Sequence, residues 1–551
     1  EPFKTRSSNA VSETTKMTLG SDFTLINFKP ECRTVEEDLD QLVIRYGPVI
    51  KVFRIYPTRK KARNVFEDMD DRVSNDVQWS PLGSYLVSVH DDVAVLWGLF
   101  SKGIPMLMRY WHRKVKLVDF SPGEKYLVTY NKSEPSNPSE LNIFDVRSGR
   151  LLMRGYDGVS DVSWPVVRWA GGKDDRYFAM LSKNNTLYVY ETCLLGEKPM
   201  KVVDDVVDMS WSPTESIFAL LLKGRGRQPP KLALMQIPGM VELRNEDLRD
   251  VYDLDCNCKM YWQSNGEYLA VQVTCSELVL FRIKEIDIPM EVLQVDEKVL
   301  AFAWEPSGHR FAMIHGGEGD QSVLPDVSFY SMQTPQNLGK VWKLDTLKDK
   351  QADALFWSPR GKHIVVAGLE GSFNGQFEFF DVDKLETMNK VEHSMATDIA
   401  WDPTGRYVAT AVTISQEMEE GFKKGFHWET VRPRNPPNGF FIWSFKGEKL
   451  YWRSTPNEYR LLQLNWRPYG GSIDEELLKN QEKPIEEDSV NWASEEESVK
   501  WVSEEESENL ASEEESENLA SEEVSENSAS EEESENLASE EESDNSASEE
   551  D

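Results

Sequence analysis

The stretch Val77-Gln78-Trp79-Ser80-Pro81-Leu82-Gly83-Ser84-Tyr85-Leu86-Val87-Ser88-Val89 decides the fold, because its grammar returns along the whole chain. An aromatic residue closes a short apolar run. Pro and Gly follow, and the chain turns tightly there because Pro presets φ and Gly tolerates positive φ. The alternating run Tyr85–Val89 then reads as a strand with one face buried. The same phrase opens at Phe120, Trp169, Trp211, Trp262, Trp304, Trp357 and Trp401, and a truncated form, WRPYG, opens at Trp466. Successive openings lie 41, 49, 42, 51, 42, 53, 44 and 65 residues apart. A polar turn after each second strand leads to a third, rich in aromatic and β-branched residues, such as VAVLWG at Val93, ELVLFRI at Glu277 and QFEFFDV at Gln376. A period of roughly 40–45 residues with four short strands per unit is the signature of a β-propeller. Nine openings predict an all-β chain with nine blades.

The nine aromatic residues (Trp79, Phe120, Trp169, Trp211, Trp262, Trp304, Trp357, Trp401 and Trp466) are read as inter-blade core. A large ring at one fixed place per blade fills the wedge between neighbouring sheets. The competing reading, a row of base-stacking rings, needs those rings exposed.

The ends of the array complement each other. Trp466 opens a ninth unit with no second or third strand after it, while Gln41–Arg45 and Ile50–Tyr56 are strand-like runs with no first strand. The C-terminal strand near Leu461–Trp466 is therefore expected to pair with them, closing the ring and removing sheet edges that invite aggregation. The domain reading is an irregular segment over 1–40, the propeller over 41–470 and an acidic low-complexity tail over 471–551.

The 551 residues carry a formal charge of −35, but the charge is uneven. Residues 494–551 hold 25 acidic side chains against one Lys, leaving 71 acidic and 60 basic in the rest. The tail repeats the unit SEEESENLA from Ser503 and Ser512. Dense like charge with little apolar content predicts disorder there. It is read as a solubilising tail, with acidophilic phosphorylation and partner binding as the alternative. The N-terminal EPFKTRSSNA has no apolar run, so no signal peptide is expected, and no stretch reaches the roughly 18–20 apolar residues of a membrane span. Cys32, Cys193, Cys256, Cys258 and Cys275 are irregularly spaced and read as reduced thiols of a cytoplasmic protein; Cys256-Asn257-Cys258 lacks a second ligand pair nearby.

The chain contains no GxxxxGK[ST], HExxH or GxSxG motif, so no enzyme, metal, cofactor or small-molecule substrate is expected. Gly368-Leu369-Glu370-Gly371 lies between two strands and reads as a hairpin turn. His309, Asp326 and Asp402 sit at strand or turn boundaries and read as structural groups. Two basic and aromatic clusters are candidates for nucleic-acid contact: Arg109-Tyr110-Trp111-His112-Arg113-Lys114-Val115-Lys116, on and after the outer strand of blade 1, where Arg109, Arg113, Lys114 and Lys116 could touch phosphates, and Arg225-Gly226-Arg227 with Lys231, in a loop before a third strand. The alternative for both is a solvated blade edge defended by charge.

Several phrases go beyond a generic repeat: VQWSPLGSYLVSVH from Val77, CKMYWQSNGEYLAVQV from Cys258, LFRIKEIDIP from Leu280, AFAWEPSGHRFAMIHG from Ala301, PDVSFYSM from Pro325 and TDIAWDPTGRYVATAVT from Thr397. They resemble the b subunit family of eukaryotic translation initiation factor 3, plant members above all, from roughly Gln41 to Pro468. The resemblance implies a nine-bladed WD-type propeller and a non-enzymatic scaffold. It implies docking on the small ribosomal subunit, protein and rRNA, during mRNA recruitment and start-codon scanning. The partners implied are the other subunits of the factor and, indirectly, mRNA. The family carries an RNA-recognition motif before the propeller, whereas residues 1–40 show no RNP signature. It has a helical segment recruiting the i and g subunits after the propeller; here SIDEELLKNQEK and the acidic repeat stand in that place. Residues Ile414–Asn438 are longer than the family's hairpin, and their prolines predict a loop. The competing reading is a divergent paralogue, a general protein-interaction propeller whose tail binds basic partners.

Overall fold

The structure, a computed structural model, describes residues 40–469 except 57–60, 70–75, 99–103, 132–139, 157–163, 196–197, 225–227, 249–257, 318–322, 334–339, 370–372, 374, 415–438 and 456–459. Within these residues lie thirty-six strands in nine four-stranded antiparallel sheets. Blade 1 is β4–β7 (residues 76–111), and the next seven follow in chain order: β8–β11 (117–156), β12–β15 (167–203), β16–β19 (206–247), β20–β23 (259–294), β24–β27 (299–347), β28–β31 (354–392) and β32–β35 (398–454). Each of these eight blades is a meander of strands adjacent in sequence. Strand 2 of each blade is almost wholly buried, whereas strand 4 is largely exposed, as in Val241–Asp247 and Glu386–Glu392.

Blade 9 joins the two ends of the array. Its order is β3-β2-β1-β36, with β36 (Leu461–Trp466) antiparallel to β1 (Gln41–Tyr46), then β2 (Val49–Tyr56) and β3 (Lys61–Met69). The expected closure is therefore present, and β3 is a fourth strand that the sequence reading did not include. Its run KARNVFEDM is polar and lacks the alternation of its neighbours, so pairing against β2, not pattern, makes it a strand. The seam is also cross-linked by side chains. Arg406 pairs with Asp40 at 2.9 Å, Arg45 Nε donates to Gln463 Oε1 at 2.7 Å, and Arg467 Nε donates to the Gly83 carbonyl at 2.8 Å. Gly83 has φ +74°, and a Cβ there would stand 2.1 Å from the Pro468 carbonyl oxygen, so the blade 1 turn accepts only glycine beneath the returning C-terminal segment.

The first strands of blades 1 and 2, 3 and 4, 5 and 6, 6 and 7, 8 and 9, and 9 and 1 lie against each other, which closes the ring. Apolar clusters fill the wedges between blades. Between blades 8 and 9, Ala409, Phe440 and Ile442 meet Leu42, Ile44 and Phe53. The aromatic openings sit in these wedges: Trp79, Phe120, Trp211, Trp304, Trp357 and Trp466 are buried, and Trp169, Trp262 and Trp401 are half-buried.

Six of the indoles also donate a hydrogen bond to one recurring acceptor. It is the backbone carbonyl just before the aromatic opening of the preceding blade. Trp79 Nε1 reaches Asn465 O at 3.1 Å, Trp211 reaches Arg168 O at 2.8 Å and Trp304 reaches Tyr261 O at 2.8 Å. Trp357 reaches Ala303 O at 3.1 Å, Trp401 reaches Phe356 O at 3.0 Å and Trp466 reaches Ala400 O at 3.1 Å. Phe120 has no N–H to offer, and the Nε1 atoms of Trp169 and Trp262 are buried without a partner.

A second set of buried polar contacts centres on hydroxyls of second strands, both within blades and across the joints between them. In blade 8, Trp443 Nε1 donates to Thr410 Oγ1 at 2.8 Å, and His393 Nδ1 lies 2.9 Å from the same oxygen. Blade 1 repeats this with Trp97, Ser88 and His90, and His112 Nδ1 contacts Thr129 Oγ1 at 2.7 Å. Burial holds His112 and His393 neutral, pushing each pKa down to about 4, with Lys449 adding to the effect at His393.

The indole bonds predict a comparison. Trp304→Phe and Trp169→Phe remove the same atoms, but only the first breaks a bond and orphans a carbonyl. Trp304→Phe should cost about 1–3 kcal/mol more than Trp169→Phe in denaturant unfolding. Equal losses would refute a role for the bond. The histidines predict an acid limb. Their folded pKa lies below the ordinary 6.5, so the stability they contribute is complete above pH 6.5 and lost as pH falls through about 4. A His393→Asn chain should lose less stability than the unaltered chain between pH 7 and 4.5, measured by urea midpoints.

Candidate functional site

The outer strand of blade 1, β7 (Met106–Trp111), pairs with Val93–Gly98 on one side and has no strand on the other. Successive residues of a strand point to opposite faces. Tyr110 and His112 therefore turn inward: Tyr110 is 1% exposed and its hydroxyl donates to the Val146 carbonyl at 2.8 Å. Arg109, Trp111 and Arg113 turn outward and are exposed, Trp111 to 65%. Arg109 Nε meets Met106 Sδ at 3.2 Å, and neither arginine has a carboxylate partner among the described residues. Lys114 takes φ 54° in the following turn, where its amide donates to Asp92 Oδ1 at 2.9 Å. Lys114 and Lys116 are half-buried.

The structure thus holds the four cationic candidates of the first cluster on one short segment. It removes Tyr110 and His112 from the aromatic surface that the sequence suggested, because both belong to the core. Arg225 and Arg227 lie outside the described residues, as do most of the Ile414–Asn438 insertion, Cys32 and Cys256. Cys193 and Cys275 are exposed thiols, and Cys258 Sγ contacts the Val273 carbonyl at 3.6 Å.

A shallow cleft of about 490 Å³ opens along the first strands of blades 2 to 5. Phe120, Trp169, Trp211 and Met260 line it, with Asp119 and the Arg168–Asp208 pair at 2.6 Å. Burial raises the Asp119 carboxyl to about 6. The cleft coincides with two joints where an indole N–H has no acceptor, between blades 2 and 3 and between blades 4 and 5.

Glu297, His315 and Asp326 place three ligand atoms within 4.8 Å of one another. Each is already engaged. His315 contacts Glu297 Oε2 and Ser328 Oγ, both at 2.7 Å, while Asp326 takes the Lys348 ammonium and the Asp349 amide. A lysine thus supplies the cation that Asp326 needs, and the group is a structural network. Asp402 likewise binds the Thr404 and Tyr407 amides, and His309 Nδ1 lies 2.9 Å from Ser331 Oγ. The histidine–hydroxyl–tryptophan contacts escaped the sequence reading, because their members lie on different strands and carry no shared local motif. Among the described residues no helix is long and apolar enough to cross a membrane.

Comparison with known proteins agrees with this architecture. A family model described as eukaryotic translation initiation factor eIF2A matches residues 249–463. The b subunit of eukaryotic translation initiation factor 3 from Arabidopsis thaliana is 50% identical over 82% of this chain and 64% of its own length. The Nicotiana tabacum protein of the same name is 45% identical over 81% and 63%. The chain thus spans about three fifths of the length of these plant relatives. A solved structure described as a crystal structure of the eukaryotic initiation factor superposes over 78% of this chain with a TM-score of 0.59 at 16% identity, a likeness of fold. The Schizosaccharomyces pombe protein, again a b subunit of the factor, is 30% identical over 80% of this chain and 68% of its own length. With the nine-bladed closed ring, these matches show that the chain belongs to the b subunit family of eukaryotic translation initiation factor 3.

Proposed function

We propose that this chain is a scaffold subunit of translation initiation factor 3, cytoplasmic, which docks on the small ribosomal subunit to support mRNA recruitment and start-codon scanning. It works by presenting surfaces, without catalysis of its own. The observation that supports this most is the closed ring itself. Nine blades joined by hydrogen bonds and a cross-linked seam hold loops and outer strands in fixed relative positions. Such preorganisation lowers the ordering cost of binding a large assembly. Buried carboxylates are committed to turn amides and cations, as at Asp402 and Asp326. The partners are the other subunits of the factor together with ribosomal protein and rRNA, mRNA being reached indirectly. On blade 1, Arg109, Arg113, Lys114 and Lys116 are the proposed phosphate contacts.

The test is retention by the factor and by the ribosome. Affinity capture of the full chain from cytosol, read by mass spectrometry, should recover other subunits of the factor in near-equal amounts. Co-sedimentation with small ribosomal subunits should weaken as salt rises, because released counterions accompany each phosphate contact. Recovery of unrelated basic proteins, with no factor subunits and no ribosomal retention, would favour a divergent interaction propeller.

A further inference from the structure

We infer that the outer edge of blade 1 binds single-stranded RNA, the indole of Trp111 stacking on one base while Arg109 and Arg113 take the flanking phosphates. The inference rests on the reading of this edge as a phosphate-contacting surface, and it names the form of nucleic acid.

Three observations carry it. The first is exposure. Trp111 is 65% exposed, and among the described residues its ring has no aromatic, cationic or hydrogen-bonded partner. A tryptophan normally buries most of its large apolar surface, so a bare indole on a rigid strand offers a stacking face at little ordering cost. The second is spacing. Residues on one face of a strand stand about 6.7 Å apart for each pair of residues, so Arg109 and Trp111 are neighbours along the edge. Arg113 follows in the turn, beyond the buried His112. The third is charge. Among the described residues both guanidinium groups lack a carboxylate partner, whereas many of the other arginines and lysines are ion-paired within the ring, among them Arg154 with Glu140 and Lys350 with Glu378. Of the acids nearby, Asp92 is occupied by the Lys114 amide, and Glu140, close enough to act on His112, is paired with Arg154.

Single strands fit this geometry better than duplex. A duplex hides its base faces, whereas an unpaired base exposes a face that any aromatic ring can meet. The rigidity of β7 supports the same choice, since Tyr110 anchors the strand through the Val146 carbonyl and leaves the outward residues in fixed order.

The experiment titrates the full chain with a fluorescein-labelled ten-nucleotide oligouridylate and, separately, with a ten-base-pair RNA duplex. The oligouridylate should bind more tightly. Trp111→Ala should weaken it by roughly 5- to 150-fold, the range of one lost base–aromatic stack, and Trp111→Phe should restore most of the loss while Trp111→Leu does not. Arg109→Ala with Arg113→Ala should flatten the salt dependence by about 1.4 in slope, two single-strand phosphate contacts. Trp342 is 59% exposed on the outer strand of blade 6 and serves as the control; Trp342→Ala should leave binding unchanged. All these residues are on the surface, so thermal melting of each variant should match the unaltered chain. The inference is overturned if the unaltered chain binds no oligouridylate at low salt, if it prefers duplex, if Trp111→Ala binds normally, or if Trp111→Leu or Trp342→Ala behaves contrary to expectation. An edge that serves a protein partner would give the first or third of these results. Capture of the factor's other subunits does not depend on this edge, so failure here leaves that measurement standing.

Discussion

The interaction on which this molecule depends joins one blade to the next. The innermost strand of each sheet has a free edge, and its carbonyl groups would face the ring interior unpaired. Burying such a group without a partner costs on the order of 1–3 kcal/mol. The tryptophan of the following blade answers both needs: its ring fills the wedge and its N–H takes the carbonyl. Two of these bonds, Trp79 to Asn465 and Trp466 to Ala400, run through blade 9. The ring is therefore continuous only because the first and last strands of the array share a sheet.

At two of the three joints where the bond is absent, a carboxylate bridges the blades. Blade 2 opens with Phe120, and there Glu124 Oε1 accepts the amides of Leu82 and Ser84 in the blade 1 turn. The Trp169 N–H has no acceptor, and at that joint Asp175 accepts from Ser121 Oγ, Gly123 N and Lys125 N of blade 2. Between blades 4 and 5 the bonds go to backbone carbonyls instead: Thr214 Oγ1 donates to the Asn265 carbonyl and Arg244 Nη1 to the Asp287 carbonyl, both at 3.3 Å. The cleft spans these last two joints.

The same strand periodicity that builds the core also builds the surface. On β7 it sends Tyr110 and His112 into the space between blades 1 and 2, and sends Arg109 and Trp111 outward. Rigidity of the buried members fixes the placement of the exposed ones. A scaffold made this way needs no moving part to present a binding edge, and His112 and His393 remain neutral because the core that holds them excludes water.

Much of this was legible in the residues alone. The aromatic openings, Pro-Gly turns and alternating strands are local signals, and local physics makes them visible: a turn needs particular φ values and a half-buried strand needs period two. Counting them was enough for nine blades and for closure by Leu461–Trp466 against Gln41–Tyr46. The candidate edge was legible only in part. The sequence showed a run of cations and rings from Arg109 to Lys116, but which rings were core could not be read from it, because burial of Tyr110 depends on Val146 in the next blade. Strand β3 was hidden for the same reason, being held by pairing to β2 and not by its own pattern. Tertiary structure alone decided the hydrogen-bond partners: each indole's acceptor lies one blade away, 43 to 66 residues back in the sequence for five of them and 386 residues away for Trp79, and whether it comes within reach depends on how two sheets pack.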